Sequence, residues 1–296
     1  MDTRETDADW LAAAFATAPE EDEIVVDGCR IHRLAWGEEG RPGIVLVHGG
    51  AAHAHWWCHV APLLGPYRVV APDLSGNGDS GRRDSYSIHA WAEEVLAVSE
   101  GVGIVGKPVV VGHSMGGFVG AATAVRGADR IAGLIIVDSP MVSEDPEVEA
   151  ARLGRAFGRP KVYPDVEAAL GRFRTVPPQD YYIPAVLDHV ARHSLRRVDG
   201  GWSWKFDPEM FRAVRRSVAA ELLPSIRCRV ALLRSERGLV TPEIGAVMYE
   251  RLGRVAPVVE IPQAGHHVML DQPLLLVTAI RALLADWEHS VPVQRG

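Results

Sequence analysis

Residues 108–126 constrain this chain more than any other stretch. A run of strand-forming residues, Pro108–Val111, leads into Gly112-His113-Ser114-Met115-Gly116 and then directly into a helical stretch rich in glycine and alanine. A strand that turns into a helix over so few residues brings backbone segments together more closely than a Cβ permits, and glycine relieves that clash. The turn lifts the Ser114 hydroxyl to the carboxyl end of a sheet, where open α/β sheets place their ligands. It also aims the Met115 N–H and the positive end of the helix at any negative charge that develops there.

The rest of the chain supplies such a sheet. Glu23–Val26, Arg30–Ala35, Ile44–Val47, Arg68–Ala71, Pro108–Val111 and Ile131–Val137 read as strands, with helical patterns between the later ones. Several of these runs lack a polar alternate, as strands covered on both faces do, so the expected fold is α/β with a doubly wound, mostly parallel, eight-stranded sheet. The opening runs flank Asp27-Gly28 and should form an antiparallel hairpin. From Pro140 to Pro224 the strand rhythm stops, and arginine, aromatic residues and proline dominate; a mostly helical insertion is expected there. The rhythm resumes with strands at Arg229–Leu233 and Val255–Ile261 and helices at Pro242–Leu252, capped by Thr241, and at Pro273–Trp287. Two units result: a core of residues 1–139 and 225–296, and an inserted unit of residues 140–224.

Charge narrows the partners. With 31 basic and 38 acidic side chains the net charge is −7, the wrong sign for a chain that neutralises phosphates, so no nucleic acid partner is expected. Cys29, Cys58 and Cys228 are odd in number and widely spaced, which predicts free thiols and a reducing, cytoplasmic setting. The stretch Leu11–Ala18 imitates a signal peptide, but the residues before it are acidic, so it reads as a short amphipathic helix. No apolar run is long enough to span a bilayer, and no membrane partner is expected.

Two further motifs suit Ser114. His48-Gly49-Gly50-Ala51 follows a buried strand, and its glycines let the backbone turn an N–H, most simply that of Gly50, toward the same point as Met115. Serine is a poor nucleophile until an imidazole accepts its proton. Gly265-His266-His267 supplies a histidine late in the chain, His266 being preferred because it follows the glycine directly and His267 being the substitute.

Taken together, HGG at 48–50, APDLSGNGDS at 71–80, GHSMGG at 112–117, a strand ending in Asp138 and AGHHVMLDQP at 264–273 make the sequence resemble the α/β-hydrolase fold superfamily, over about Glu23 to Trp287. The resemblance implies that Ser114 is the nucleophile, His266 the base, Gly50 and Met115 the oxyanion hole, and 140–224 a cap over the site. It implies no cofactor. Since ligand sites are commonly lined by apolar and aromatic side chains near the reacting groups, the expected substrate pocket comprises Gly49, Ala51, Trp57, His113, Tyr181, Trp204 and His267. The sequence departs from the commonest family pattern where an acid is expected after Arg229–Leu233, since that stretch reads Arg234-Ser235-Glu236-Arg237-Gly238-Leu239-Val240-Thr241-Pro242. Asp138 or Glu236 is left to orient the imidazole. Asp138 is favoured because a strand end holds a side chain with less reorganisation than a loop does.

Other signals carry less. Gly101–Gly106 spells G-x-G-x-x-G but leads into a strand, the reverse of a dinucleotide site. His53-x-His55-x-x-Cys58-His59 has metal-ligand residue types at short spacing but reads as packing and pocket lining, so no metal is expected. Asp73–Ser80 lacks the late glutamate of a calcium loop. Arg172 and Arg174 read as a solvated face, with a grip on a substrate carboxylate as the alternative. The resulting expectation is a serine esterase for a small or medium apolar or aromatic ester. The same triad acting as a C–C hydrolase or lyase is one alternative, and a non-catalytic binding protein is another. The expected partner is a small-molecule ester, with homodimer formation left open.

Overall fold

In the computed structural model of the protein, residues 3–143, 147–148, 158, 160–212 and 216–290 are described. Strands β1 (Glu20–Val26), β2 (Cys29–Trp36), β3 (Arg41–Val47), β4 (Arg68–Pro72), β5 (Ile104–His113) and β6 (Gly133–Val137) precede the insertion, which carries β7 (Leu195–Val198) and β8 (Gly201–Trp204). Strands β9 (Arg229–Arg237) and β10 (Val258–Gly265) follow it. The main sheet has eight strands in the order β1-β2-β4-β3-β5-β6-β9-β10. Strand β2 is antiparallel to both β1 and β4, and the remaining pairs are parallel.

The central strands are apolar on both sides because both sides are covered. Val45, Val110, Leu134 and Leu232 belong to one buried layer with Trp91, Val95, Phe118 and Val119 of the helices Ile88–Val98 and Met115–Arg126. Leu46, Val111, Ile135 and Leu233 belong to the opposite layer with Leu276 and Ile280 of the helix Pro273–His289. The first helix, Thr3–Ala16, buries Leu11 and Ala14 three positions apart, but its apolar residues are not gathered on one face, so it is a helix as expected without being an amphipathic one. Thr241 caps the helix Pro242–Arg251 by accepting the Ile244 N–H. Gly101–Gly106 runs into β5. Cys29, Cys58 and Cys228 are thiols, not disulfides. No helix among the described residues is long and apolar enough to cross a membrane.

Between β6 and β9 the chain leaves the sheet. The described part of this segment contains the helices Val166–Leu170, Pro184–His193 and Arg216–Leu222, but also the antiparallel hairpin β7–β8, where a mostly helical stretch was expected. The hairpin turns at Asp199-Gly200, with Gly200 at φ 83°, the same dipeptide signal that closes β1–β2 at Asp27-Gly28. The segment is tied to the loop after β4: Gly78 N–H donates to the Lys205 carbonyl at 2.8 Å and Asp207 N–H to the Gly76 carbonyl at 2.7 Å. Asp73 anchors that loop from inside, its carboxylate accepting from Ala54 N–H (2.6 Å), Asp79 N–H (2.8 Å) and the His32 ring (2.8 Å). Its oxygens are thereby spent on the turn itself.

Candidate active site

The turn at Ser114 is as tight as its glycines suggest. Ser114 has φ 54° and ψ −118°, a backbone state rare for a residue with a side chain, and it stands at the junction of β5 and the helix Met115–Arg126. A Cβ built at Gly112 would lie 2.2 Å from the Gly116 carbonyl oxygen, and one at Gly116 would lie 2.3 Å from the Val47 carbonyl oxygen. Ser114 N–H donates to the Val137 carbonyl at 3.0 Å, fixing the turn to the end of β6.

His266 follows β10 and faces this turn. Its Nε2 lies 3.0 Å from Ser114 Oγ and its Nδ1 lies 2.7 Å from Asp138 Oδ2. A carboxylate only accepts, so Nδ1 carries the proton and Nε2 presents its lone pair to the serine hydroxyl. Asp138 itself is fully buried at the end of β6, with φ 42°. Burial works to raise its pKa, but the hydrogen bond and charge of His266 and the N–H groups of Leu239 and Val240 outweigh it and hold the carboxyl below its ordinary value. Asp138 is therefore an ionised acceptor for the imidazole. Glu236 is not brought to His266; its Oε2 accepts the Gln263 N–H at 2.6 Å in an exposed setting.

Gly50 lies beside Met115: a Cβ built on it would meet Phe211 at 3.0 Å and the Met115 sulfur at 3.8 Å. As the first residue of its helix, Met115 has a backbone N–H with no partner within the helix. His48 stiffens the turn before Gly50, Nδ1–H donating to the Gly49 carbonyl at 2.7 Å while Nε2 accepts the Leu74 N–H at 3.0 Å.

The residues expected to line a pocket divide. Gly49 is in contact range of Ser114. His113 is buried, its Nε2–H donating to the His266 carbonyl at 2.8 Å. His267 is turned away from Ser114, with Nε2 3.1 Å from the Pro177 carbonyl, which leaves His266 as the ring at the serine. Ala51 and Trp204 line a cavity of about 420 Å³, together with His53, Tyr163, Phe173 and Phe206. Trp57 does not line it. In the short 3-10 helix Ala54–Trp57 successive side chains point in different directions, so with the Trp56 ring 5.4 Å from His267, Trp57 is directed into the core. Tyr181 is also displaced: it is 59% exposed and borders a separate surface pocket with Trp10 and Leu274. Its neighbour Tyr182 turns inward instead, its hydroxyl 2.6 Å from that of Thr175.

Arg172 and Arg174 border the same cavity as Trp204, with Lys161 and Lys205. His53, read from the sequence as packing or pocket lining, does line the cavity, but sequence reading missed Tyr163, Phe173 and Phe206, which no local spacing announces. It also missed Asp271, which accepts the Gly265 N–H at 2.6 Å and so fixes the residue before His266. The spacing Gly265 to Asp271 across a short helix was the available signal.

Comparison with known proteins agrees with this architecture. The family model described as the alpha/beta hydrolase family matches residues 44–279. Esterase Rv0045c of Mycobacterium tuberculosis is 28% identical over 266 residues, covering 86% of each chain. Lipase LipV of the same organism is 26% identical over 262 residues, covering 86% of this chain and 97% of the lipase. Among solved structures, the thioesterase domain from the curacin biosynthetic pathway superposes with a TM-score of 0.73 at 25% identity, covering 89% of this chain and 99% of that domain. A match over residues 44–279, joined to the sheet order described above, makes the chain a member of the alpha/beta hydrolase family.

Proposed function

We propose that this protein hydrolyses carboxylic esters of small to medium apolar or aromatic substrates through an acyl-enzyme on Ser114. The observation that carries this reading is the unbroken chain Asp138–His266–Ser114 at 2.7 and 3.0 Å. His266 Nε2 takes the hydroxyl proton as Ser114 Oγ attacks the ester carbonyl carbon, and the Gly50 and Met115 N–H groups receive the charge that moves onto the carbonyl oxygen. The imidazolium then returns its proton to the departing alcohol. Water enters, gives a proton to His266 and attacks the acyl carbon; the bond to Ser114 Oγ then breaks, His266 returns the proton to that oxygen, and the acid leaves. Asp138 keeps the imidazole in the required tautomer and offsets its positive charge.

Residues 140–224 act as the cap in this reading, with 1–139 and 225–296 as the catalytic core. The aromatic walls contributed by Tyr163, Phe173 and Trp204 support an apolar or aromatic substrate, and the names of the mycobacterial esterase and lipase support an ester.

A fluorophosphonate probe and a panel of aryl esters test the proposal together. One adduct on Ser114, with ester turnover that disappears in Ser114→Ala while the circular dichroism spectrum is unchanged, is the expected result. Turnover retained in Ser114→Ala overturns it.

A further inference from the structure

The short helix Ala54–Trp57 and the helix Pro184–His193 present to each other four side chains of the metal-ligating kind. His55 of the first and Cys58, the residue that ends it, lie three positions apart, and His189 and His193 lie on one side of the second, four apart. One ligand atom each from His55, Cys58 and His189 falls within 4.8 Å of the others. The His193 ring stacks on His55 with centroids 4.0 Å apart and lies 4.1 Å from that of His189. We propose that His55, Cys58 and His189, with His193 as the fourth ligand, form a binding site for a divalent transition metal ion of the zinc class that clamps the core to the insertion.

The geometry is close to what such an ion needs. Cys58 Sγ lies 3.5 Å from His55 Nδ1, and tetrahedral zinc with bonds of about 2.3 Å to sulfur and about 2.1 Å to nitrogen separates the two atoms by about 3.6 Å. His189 offers its ring to the same point, with a ligand atom within 4.8 Å of those of His55 and Cys58. Its Nε2 is buried and has no hydrogen-bond partner among the described residues. His193 donates Nδ1–H to the His189 carbonyl at 2.8 Å, which leaves Nε2 as that ring's lone pair and fixes its orientation, as a backbone carbonyl commonly does for a metal-bound histidine. Forming the sulfur–metal bond releases the Cys58 thiol proton to solvent, with no change of oxidation state.

The site is separate from the serine centre, where His113, His266 and His267 also lie together but offer no thiol. It does not depend on the hydrolytic reading, and its readout is spectroscopic. Protein stripped with a chelator is titrated with Co²⁺ at pH 7.5. One equivalent binds with a thiolate-to-cobalt charge-transfer band in the near ultraviolet and tetrahedral bands in the visible, and Zn²⁺ displaces it. The charge-transfer band is lost in Cys58→Ser; affinity falls about tenfold or more in His189→Gln; Ser114→Ala binds as the wild type does. Circular dichroism checks that each variant is folded, and His189→Gln and His193→Gln, on partly exposed positions of one helix, report on the site even if Cys58→Ser does not fold. Absence of the band in the wild type, its survival in Cys58→Ser, or unchanged affinity in both histidine variants overturns the assignment.

Discussion

The carboxylate of Asp138 accepts the Nδ1–H of His266 at 2.7 Å from the end of β6, and the loop after β9, which lacks the acid expected of it, is bent around that same carboxylate. The N–H groups of Leu239 and Val240 in the loop point at it from 2.7 and 3.1 Å, and that of Ser235, still in β9, from 3.3 Å. The loop thus supplies donors to an acid placed one strand away. Asp138→Asn puts an amide where the imidazole N–H and these donors all require an acceptor, and it favours the wrong tautomer of His266. Ester turnover should fall by about 10⁴, while Glu236→Gln, which touches only the Gln263 N–H, should leave turnover unchanged. Steady-state rates of the two purified variants check the ranking; the reverse order would move the acid to Glu236.

Gly238 offers a way to disturb Asp138 without altering any group in the hydrogen-bond chain. A Cβ there would stand 2.3 Å from Asp138 Oδ2 and 2.5 Å from Oδ1, closer than atoms approach, and the carboxylate is buried with no room to retreat. Gly238→Ala should therefore lower kcat by about 10² or more through misalignment of the imidazole, with KM little changed and Ser114 still present. Full activity in this variant would show that the loop gives way more easily than the packing indicates.

The difference between what was legible in the sequence and what was not follows the range of the interactions. Ser114, Gly112 and Gly116 could be read because a tight turn is a local steric problem with few solutions. His266 could be read because a glycine and a strand precede it. Asp138 could be favoured over Glu236 only by a general preference for strand ends, since the cradle that secures it joins residues about a hundred positions apart in the chain. The hairpin β7–β8 was legible at Asp199-Gly200, but the surrounding proline and arginine obscured the two short strands. Trp57 and Tyr181 were misplaced because each has an aromatic neighbour, and which of two adjacent rings faces inward is decided by the turn of the backbone rather than by residue type.

Trp204 forms one wall of the cavity beside Tyr163 and Phe173, with ring centroids 5.8 Å away in both cases. Removing its ring takes away an apolar contact for a bound substrate without touching Ser114 or His266. If that contact contributes about 1.4 kcal/mol, Trp204→Ala should raise KM for aryl esters about tenfold with kcat nearly unchanged. A drop in kcat at constant KM would place Trp204 outside the substrate's path.

Acid should destabilise the fold through three histidines around the active site. His48, His113 and His267 are buried, and each is held neutral: burial lowers His48; burial and the neighbouring His266 lower His113 to about 3; burial with His266 and His113 lowers His267 well below its ordinary value. His48 shows the cost most plainly, because its Nε2 accepts the Leu74 N–H and a proton there would face a donor. In the unfolded chain all three titrate near 6.5, so as pH falls below that value the unfolded state takes up protons that the native state does not. The native state therefore loses about 1.4 kcal/mol per histidine for each pH unit below 6.5, until the native groups themselves begin to titrate. His32, raised to about 8 because its contacts with Asp73 and Glu21 outweigh its burial, works the other way: its contribution is complete below 6.5 and is lost as pH rises through 8. Thermal unfolding followed by circular dichroism should accordingly give its highest Tm near pH 6.5 to 7, with a steep fall toward pH 5 and a shallow one above 8. Calorimetry in buffers of different ionisation enthalpy should register proton uptake on unfolding at pH 5.5. A Tm that is level from pH 7 to pH 5 would mean that these rings are protonated in the native state, against their burial and, at His48, against the Leu74 N–H.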